Sequence, residues 1–101
     1  IDTAHAYRAI MPVETPHRPV VIYDGECPLC RRAVEWLRER QIEDIDYLPC
    51  QAPGRAIRFP AIEESMCLEA MWLVVPDGRQ FAGADALPHI LARLRRWRAL
   101  A

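Results

Sequence analysis

The chain has 101 residues, a hydrophobic share of 51% and a formal net charge of −1. That is long enough for one compact domain with its own core, too apolar for disorder over most of its length, and too nearly neutral for a general nucleic-acid or polyanion binder. All 13 basic residues are Arg, so chemistry that needs a lysine amine is excluded, and no apolar run approaches the ~20 residues that span a bilayer. No charged leader with an apolar stretch is visible, and the start at Ile1 rather than Met leads us to expect an upstream piece. Four cysteines, at 27, 30, 50 and 67, are few for a secreted disulfide scaffold. A cytoplasmic protein with one reactive pair is the expectation.

Residues 1–18 carry Pro12 and Pro16 and no clean period, which predicts an irregular leader with at most a short helix over Ala4–Ile10. The domain proper is expected over 19–101. Val20-Val21-Ile22-Tyr23 is apolar without polar alternation, the pattern of a strand buried on both faces. Asp24-Gly25 breaks it. Pro28 then marks the first turn of a helix, where its missing N–H costs nothing. Through about Arg40, Cys30, Ala33, Val34 and Leu37 fall on one helical stripe. Ile45–Leu48 reads as a second strand ended by Pro49. Residues 51–70 are punctuated by Pro53-Gly54 and Pro60, with helix expected around Arg55 or Ile62. Met71–Val75 is a third strand, and Pro76-Asp77-Gly78 a turn whose Gly tolerates the left-handed conformation. Gln80–Ala82 returns as a fourth strand. Asp85 is expected to cap a last helix with Leu87, Ile90, Leu91, Leu94 and Trp97 on one face. Arg93, Arg95, Arg96 and Arg98 complement its dipole, with binding of a phosphate or a glutathione carboxylate as the alternative. A right-handed crossover makes the first two strands parallel. The result is an α/β domain on the thioredoxin-like plan, in the short glutaredoxin-like βαβ-ββα form, with helices packed on a mixed four-stranded sheet.

The chemistry concentrates in Asp24-Gly25-Glu26-Cys27-Pro28-Leu29-Cys30. C-x-x-C alone is a weak signal, since zinc sites share the spacing. After an apolar strand and at the opening of an amphipathic helix it points to thiol–disulfide exchange. The thiolate is the attacking species. A cysteine of ordinary pKa is only about 3% thiolate at pH 7, and a pKa near 7 raises that roughly 15-fold. Cys27 stands just before Pro28, at the expected N-cap, where unpaired N–H groups and the positive end of the helix dipole favour an anion. Cys30, one turn on and in phase with the apolar stripe, is expected to be shielded. The roles follow: Cys27 as nucleophile, Cys30 as resolving thiol. Asp24 and Glu26 push the Cys27 pKa up while Arg31 and Arg32 pull it down. Asp24 either ties down the turn through backbone N–H groups or carries a proton to and from Cys30.

The run Tyr23–Cys30 resembles the signature of the DCC family of thiol-disulfide oxidoreductases, D-x-x-C-x-x-C, with Asp24, Cys27 and Cys30 at its named positions. Pro76-Asp77-Gly78-Arg79 with Gly83-Ala84-Asp85-Ala86-Leu87, and Ile45-Asp46-Tyr47-Leu48-Pro49, are similar to further parts of that family, so the resemblance spans about 20–98. It implies a thioredoxin-like fold and dithiol chemistry at Cys27 and Cys30, and it gives no substrate; from the dithiol chemistry itself we expect a disulfide-containing protein or a small thiol as substrate and no cofactor beyond the redox-active pair. Glutathione is a candidate electron donor. One departure stands out. Thioredoxin-like proteins usually place a cis-proline before the third strand, facing the active pair, and Glu69-Ala70-Met71-Trp72 contains none. Met71 or Trp72 is expected to offer an apolar contact to substrate there, alongside Tyr23 and Pro28.

Cys50 ends the second strand and Cys67 precedes the third, so both are expected at the sheet edge that carries Cys27, with all four sulfurs in one neighbourhood. Three readings stand: two small buried hydrophobes, a redox relay or auxiliary disulfide, or a four-thiolate zinc site of Cys27, Cys30, Cys50 and Cys67. Three functions compete accordingly: a dithiol oxidoreductase, a Zn or Fe–S binding module, and an interaction domain whose pair only supports structure. His5, His17 and His89 share no ligand-like spacing. Trp36 and Trp97 follow helix stripes and read as core or helix edge.

Overall fold

A computed structural model describes residues 15–94. It contains β1 (Val20–Tyr23), α1 (Pro28–Arg40), β2 (Asp46–Pro49), α2 (Pro53–Arg58), α3 (Glu64–Glu69), β3 (Trp72–Val74), β4 (Gln80–Ala82), a 3-10 turn (Gly83–Asp85) and α4 (Leu87–Leu91). The sheet order is β2-β1-β3-β4. β1 and β2 are parallel, and both other pairings are antiparallel. This is the thioredoxin-like arrangement expected from the order of elements. The expectations for most of the leader, including Ala4–Ile10, and for Trp97, Arg95, Arg96 and Arg98 lie outside the described residues. No helix among the described residues is long and apolar enough to cross a membrane.

β1 is the spine. Val20, Val21 and Ile22 are all fully buried, because successive side chains point to opposite faces and both faces are covered. Val21 joins Leu37 of α1, Leu73, Val75, Ala86, Ile90 and Leu94 on one face. Val20 and Ile22 join Cys50, Phe59, Ile62, Cys67 and Val74 on the other, under α2 and α3. In α1 the stripe is narrower than its periodicity suggested. Val34 and Leu37 are buried, Cys30 is half-buried, and Ala33 falls on the exposed flank. Trp36 is an exposed helix edge with the Arg40 guanidinium 4.3 Å from its ring centre.

Several boundaries differ from expectation, each for a local reason. β2 is shifted by one: Pro49 pairs with Tyr23 while Ile45 sits buried just outside the strand. β2 lies at the sheet edge, where a proline without an N–H is tolerated. In 51–70 the chain forms two short helices, with buried Ile62 in the connection between them rather than in a helix. Asp85 does not cap the last helix. It lies inside the 3-10 turn, and Ala86, already helical at φ −76°, leads straight into α4 without a side-chain cap. The buried stripe there is Ala86, Ile90 and Leu94, four residues apart, which leaves Leu87 exposed. α4 stops at Leu91 because the Arg93 carbonyl accepts the Ile42 N–H (3.0 Å) and Leu94 bridges Gln41. Arg93 itself donates to the His89 carbonyl (2.7 Å) and pairs with Glu43 (2.7 Å). The Pro76–Arg79 turn is as expected, with Gly78 at φ +93° and Asp77 accepting the Arg79 N–H (2.9 Å).

Cys50 and Cys67 form a disulfide with Cα atoms 5.9 Å apart, tying the residue after β2 to α3 across 17 residues. Both are only 1% exposed. The reading of two unpaired buried hydrophobes is therefore corrected. A loop of that size confines the unfolded chain by about 3 kcal/mol. Cys50→Ala combined with Cys67→Ala should lower the unfolding free energy by about that amount in denaturant titration. A loss below about 1 kcal/mol would show that the bond is no structural staple.

Candidate active site

The site is built where β1 ends. Tyr23 is the last residue of β1, and its carbonyl accepts the Cys50 N–H (2.6 Å), which extends the β1–β2 ladder by one residue. The chain then turns: the Cys27 N–H reaches the Asp24 carbonyl (3.2 Å), and the Asp24 carboxylate accepts the Glu26 N–H (3.0 Å). Gly25 is required by space rather than by an unusual dihedral. A Cβ there would stand 2.9 Å from Pro49 Cβ and 3.2 Å from Gln51 Oε1. α1 follows with Cys27 as its N-cap residue in extended conformation (φ −83°, ψ 117°) and Pro28 in the first turn, both as the sequence implied.

Cys27 Sγ accepts the Cys30 backbone N–H at 3.4 Å. That N–H is one of the orphan donors of the first helical turn, and sulfur takes the place that a Ser or Asp oxygen fills in an ordinary cap. Both thiols are free and half-buried. The hydrogen bond from the Cys30 N–H is the largest influence on Cys27 and holds its thiol below the ordinary value; a hydrogen bond with the Cys30 thiol adds to this, while burial and the Asp24 charge oppose it. Burial, first, and then the hydrogen bond and charge of Cys27 push Cys30 up. The competition between acidic and Arg neighbours that the sequence left open is thus decided mainly by a backbone donor.

Asp24 is held below the usual carboxylate range, first by the Gln51 side-chain amide and then by the Glu26 N–H. Gln51 carries no sequence signal and was not foreseen. Its Nε2 donates to Asp24 Oδ1 (2.7 Å) and its Oε1 accepts the Gly25 N–H (3.0 Å). Only the facing geometry of β2's end against the turn, 26 residues away in sequence, reveals it.

The remaining candidates separate. Tyr23 lines a cleft of about 340 Å³ with Arg31, Val34, Glu35 and Arg38 of α1. Pro28 is exposed at the helix opening. Met71 lies on the α1 side of the sheet, at the place expected for the superfamily's proline, and its carbonyl is taken by the Gly83 N–H (2.8 Å). Trp72 is on the other side. Its ring packs with the cluster under α2 and α3, and its N–H is used on the Met66 carbonyl (3.2 Å). It is thereby removed from the expected substrate contacts, because adjacent strand residues point to opposite faces.

The same alternation separates the two cysteine pairs. Cys50 and Cys67 are bonded to each other within the second cluster, while Cys27 and Cys30 open α1 on the first face. Cys50 does lie at the edge that carries Cys27, with its N–H on the Tyr23 carbonyl, but its sulfur is already bonded to Cys67. Among the described residues no group of three or more His, Cys, Asp or Glu side chains is placed to hold a metal ion. The four-thiolate set is corrected accordingly.

A sequence profile described as DCC1-like thiol-disulfide oxidoreductase matches residues 21–101. The chain belongs to that family. No curated protein and no solved structure matches it. Membership makes the protein a thiol-disulfide oxidoreductase with a general redox role. The resemblance carried by Asp24, Cys27 and Cys30 is confirmed at the family level.

Two outcomes follow from the geometry. In a pH series of alkylation with site-resolved mass spectrometry, Cys27 should become reactive at lower pH than Cys30, and equal profiles would contradict the cap arrangement. Gly25→Ala should cost about 1–3 kcal/mol in thermal or denaturant unfolding, the range for forcing an extra methyl into a packed site.

Proposed function

We propose that the protein exchanges disulfides through a Cys27–Cys30 dithiol. The Cys27 thiolate attacks one sulfur of a substrate disulfide, forming a mixed disulfide and expelling the other substrate sulfur as a thiolate. Cys30 then gives up its proton and attacks Cys27 Sγ. This releases the second substrate thiolate and leaves a Cys27–Cys30 disulfide. The substrate gains two electrons from the pair; of the two protons its thiolates take up, one is that given up by Cys30 and the other comes from solvent, where Cys27 left its own on ionising. A dithiol, or two equivalents of a small thiol such as glutathione, restores the reduced pair. The same steps run backwards oxidise a substrate dithiol.

The observation that carries this reading is the Cys27 Sγ acceptor bond from the Cys30 N–H. It stabilises the anion on the sulfur nearer solvent at the helix mouth and leaves the neighbouring thiol protonated until its turn. Spacing of three residues puts both sulfurs on one helical turn. Asp24 serves in this scheme as the holder of the turn rather than as a proton carrier, since a carboxyl held below its usual range stays ionised at neutral pH. Tyr23 and Pro28 at the mouth, with Met71 across from them, form the rim that a substrate meets, and the Tyr23 cleft beside Arg31 and Arg38 is its approach. We infer a reducing, cytoplasmic setting, in which the half-buried pair at the helix mouth is kept as a dithiol. In such a setting the Cys50–Cys67 bond would persist because both residues, each 1% exposed, are shielded from small thiols.

Cys27→Ser should abolish reduction of a small disulfide. Cys30→Ser should accumulate a mixed disulfide with substrate, seen as a mass adduct that dithiothreitol removes. Turnover retained in Cys27→Ser would overturn the assignment of roles.

A further inference from the structure

We propose that Gln51 is a positioning residue for the redox site: its side-chain amide clasps the Asp24–Gly25 turn from the end of the neighbouring strand and so sets where Cys27 Sγ stands against the Cys30 N–H. The proposal rests on the reading of Cys27 as the reactive thiol.

Both ends of the amide are in use. Nε2 donates to Asp24 Oδ1 (2.7 Å) and Oε1 accepts from Gly25 N (3.0 Å). The two bonds fix the amide's orientation, because only the NH2 can donate to a carboxylate and only the oxygen can accept from a backbone N–H. The clasped residue is one step from the nucleophile: the Asp24 carbonyl itself receives the Cys27 N–H (3.2 Å). Gln51 thus reaches Cys27 through the Asp24 carbonyl and, along the backbone, through Gly25.

The clasp is delivered from an anchored backbone. Cys50, immediately before Gln51, has its N–H on the Tyr23 carbonyl (2.6 Å), its carbonyl on Arg55 Nε (3.1 Å) and its sulfur bonded to Cys67. Ala52, immediately after, closes a turn onto the Pro49 carbonyl (3.0 Å). Arg55 is in turn held by the Ile62 carbonyl (2.6 Å). A long side chain on a free loop loses rotamer entropy when it bonds, which weakens such contacts. Here the backbone is already ordered by the sheet and the disulfide. The fit on the other side is tight as well, since Gly25 leaves no room for a Cβ between Pro49 and Gln51.

Loss of the clasp should leave the turn free to drift, and the Cys30 N–H bond to Cys27 Sγ should weaken with it. The test is the pH profile of Cys27 alkylation by iodoacetamide, read by mass spectrometry, in the unsubstituted protein and in Gln51→Ala and Gln51→Met. The Met variant keeps the volume and removes both hydrogen bonds. The expected result is a rise of the Cys27 midpoint by about half a pH unit or more, roughly a threefold loss of thiolate below the midpoint. Gln51→Ala should shift the midpoint less in an Asp24→Ala background than in the unsubstituted protein, because one of the two clasping bonds is already gone there. A midpoint in the unsubstituted protein at the ordinary thiol value overturns the reading of Cys27. A depressed midpoint that both Gln51 variants leave in place, whatever their melting temperature, overturns the role of Gln51 alone. If the variants do not fold, the unsubstituted protein decides by NMR. The Gln51 side-chain amide resonances follow the titration of the Asp24 carboxyl if the clasp exists, and a flat response overturns it.

Discussion

One backbone N–H organises the chemistry of this fold. The Cys30 amide opens α1 with no carbonyl behind it to accept its proton, and the Cys27 sulfur is what it finds, at 3.4 Å. The bond favours the charged form of one thiol and, through that charge and through burial, disfavours the charged form of the other. The opposite directions in which two identical thiols are pushed thus arise from where a helix begins. β1 must end at Tyr23 and the chain must reverse within Asp24–Glu26 for Cys27 to occupy that position. The rest of the structure can be understood as what makes this short reversal stay in place.

Three elements hold it. β1 is locked into the sheet by apolar side chains on both faces. The Asp24 carboxylate accepts the turn's Glu26 N–H and so pins the reversal from within. The end of β2 packs against the turn through Pro49 and Gln51, and it is itself stapled to α3 by the Cys50–Cys67 disulfide. The two cysteine pairs therefore lie on different faces. The pair on the α1 side is free and half-buried. The pair beneath the sheet is closed and buried.

Much of the site was legible along the chain. Val20–Tyr23, the Asp24-Gly25 break and Pro28 are local signals whose physics acts over a few residues, and they locate Cys27 at a helix mouth without reference to anything distant. The D-x-x-C-x-x-C spacing, which led to the family, is equally local. Helical periodicity overstates the buried stripe in one way. Ala33 and Leu87 are apolar and in approximate phase, yet both lie on exposed flanks, because a helix stripe has a width that only its packing partner defines. Asp85 looked like a cap, but the chain had already begun to wind at Gly83.

What the sequence determined by itself was the opening of α1, the turn before it and the chemistry available at Cys27 and Cys30, since each depends on neighbours within about one helical turn. Only the tertiary structure decided the pairing of Cys50 with Cys67, the departure of Trp72 to the far face and the reach of Gln51 to Asp24. Cys67 on α3 and Gln51 beyond β2 meet their partners only through the packing of elements distant in sequence; for Trp72 the reason is the alternation of strand side chains. Which face a residue joins depends on a register set by partner strands many positions away, and a shift of a single residue sends a side chain from one side of the sheet to the other.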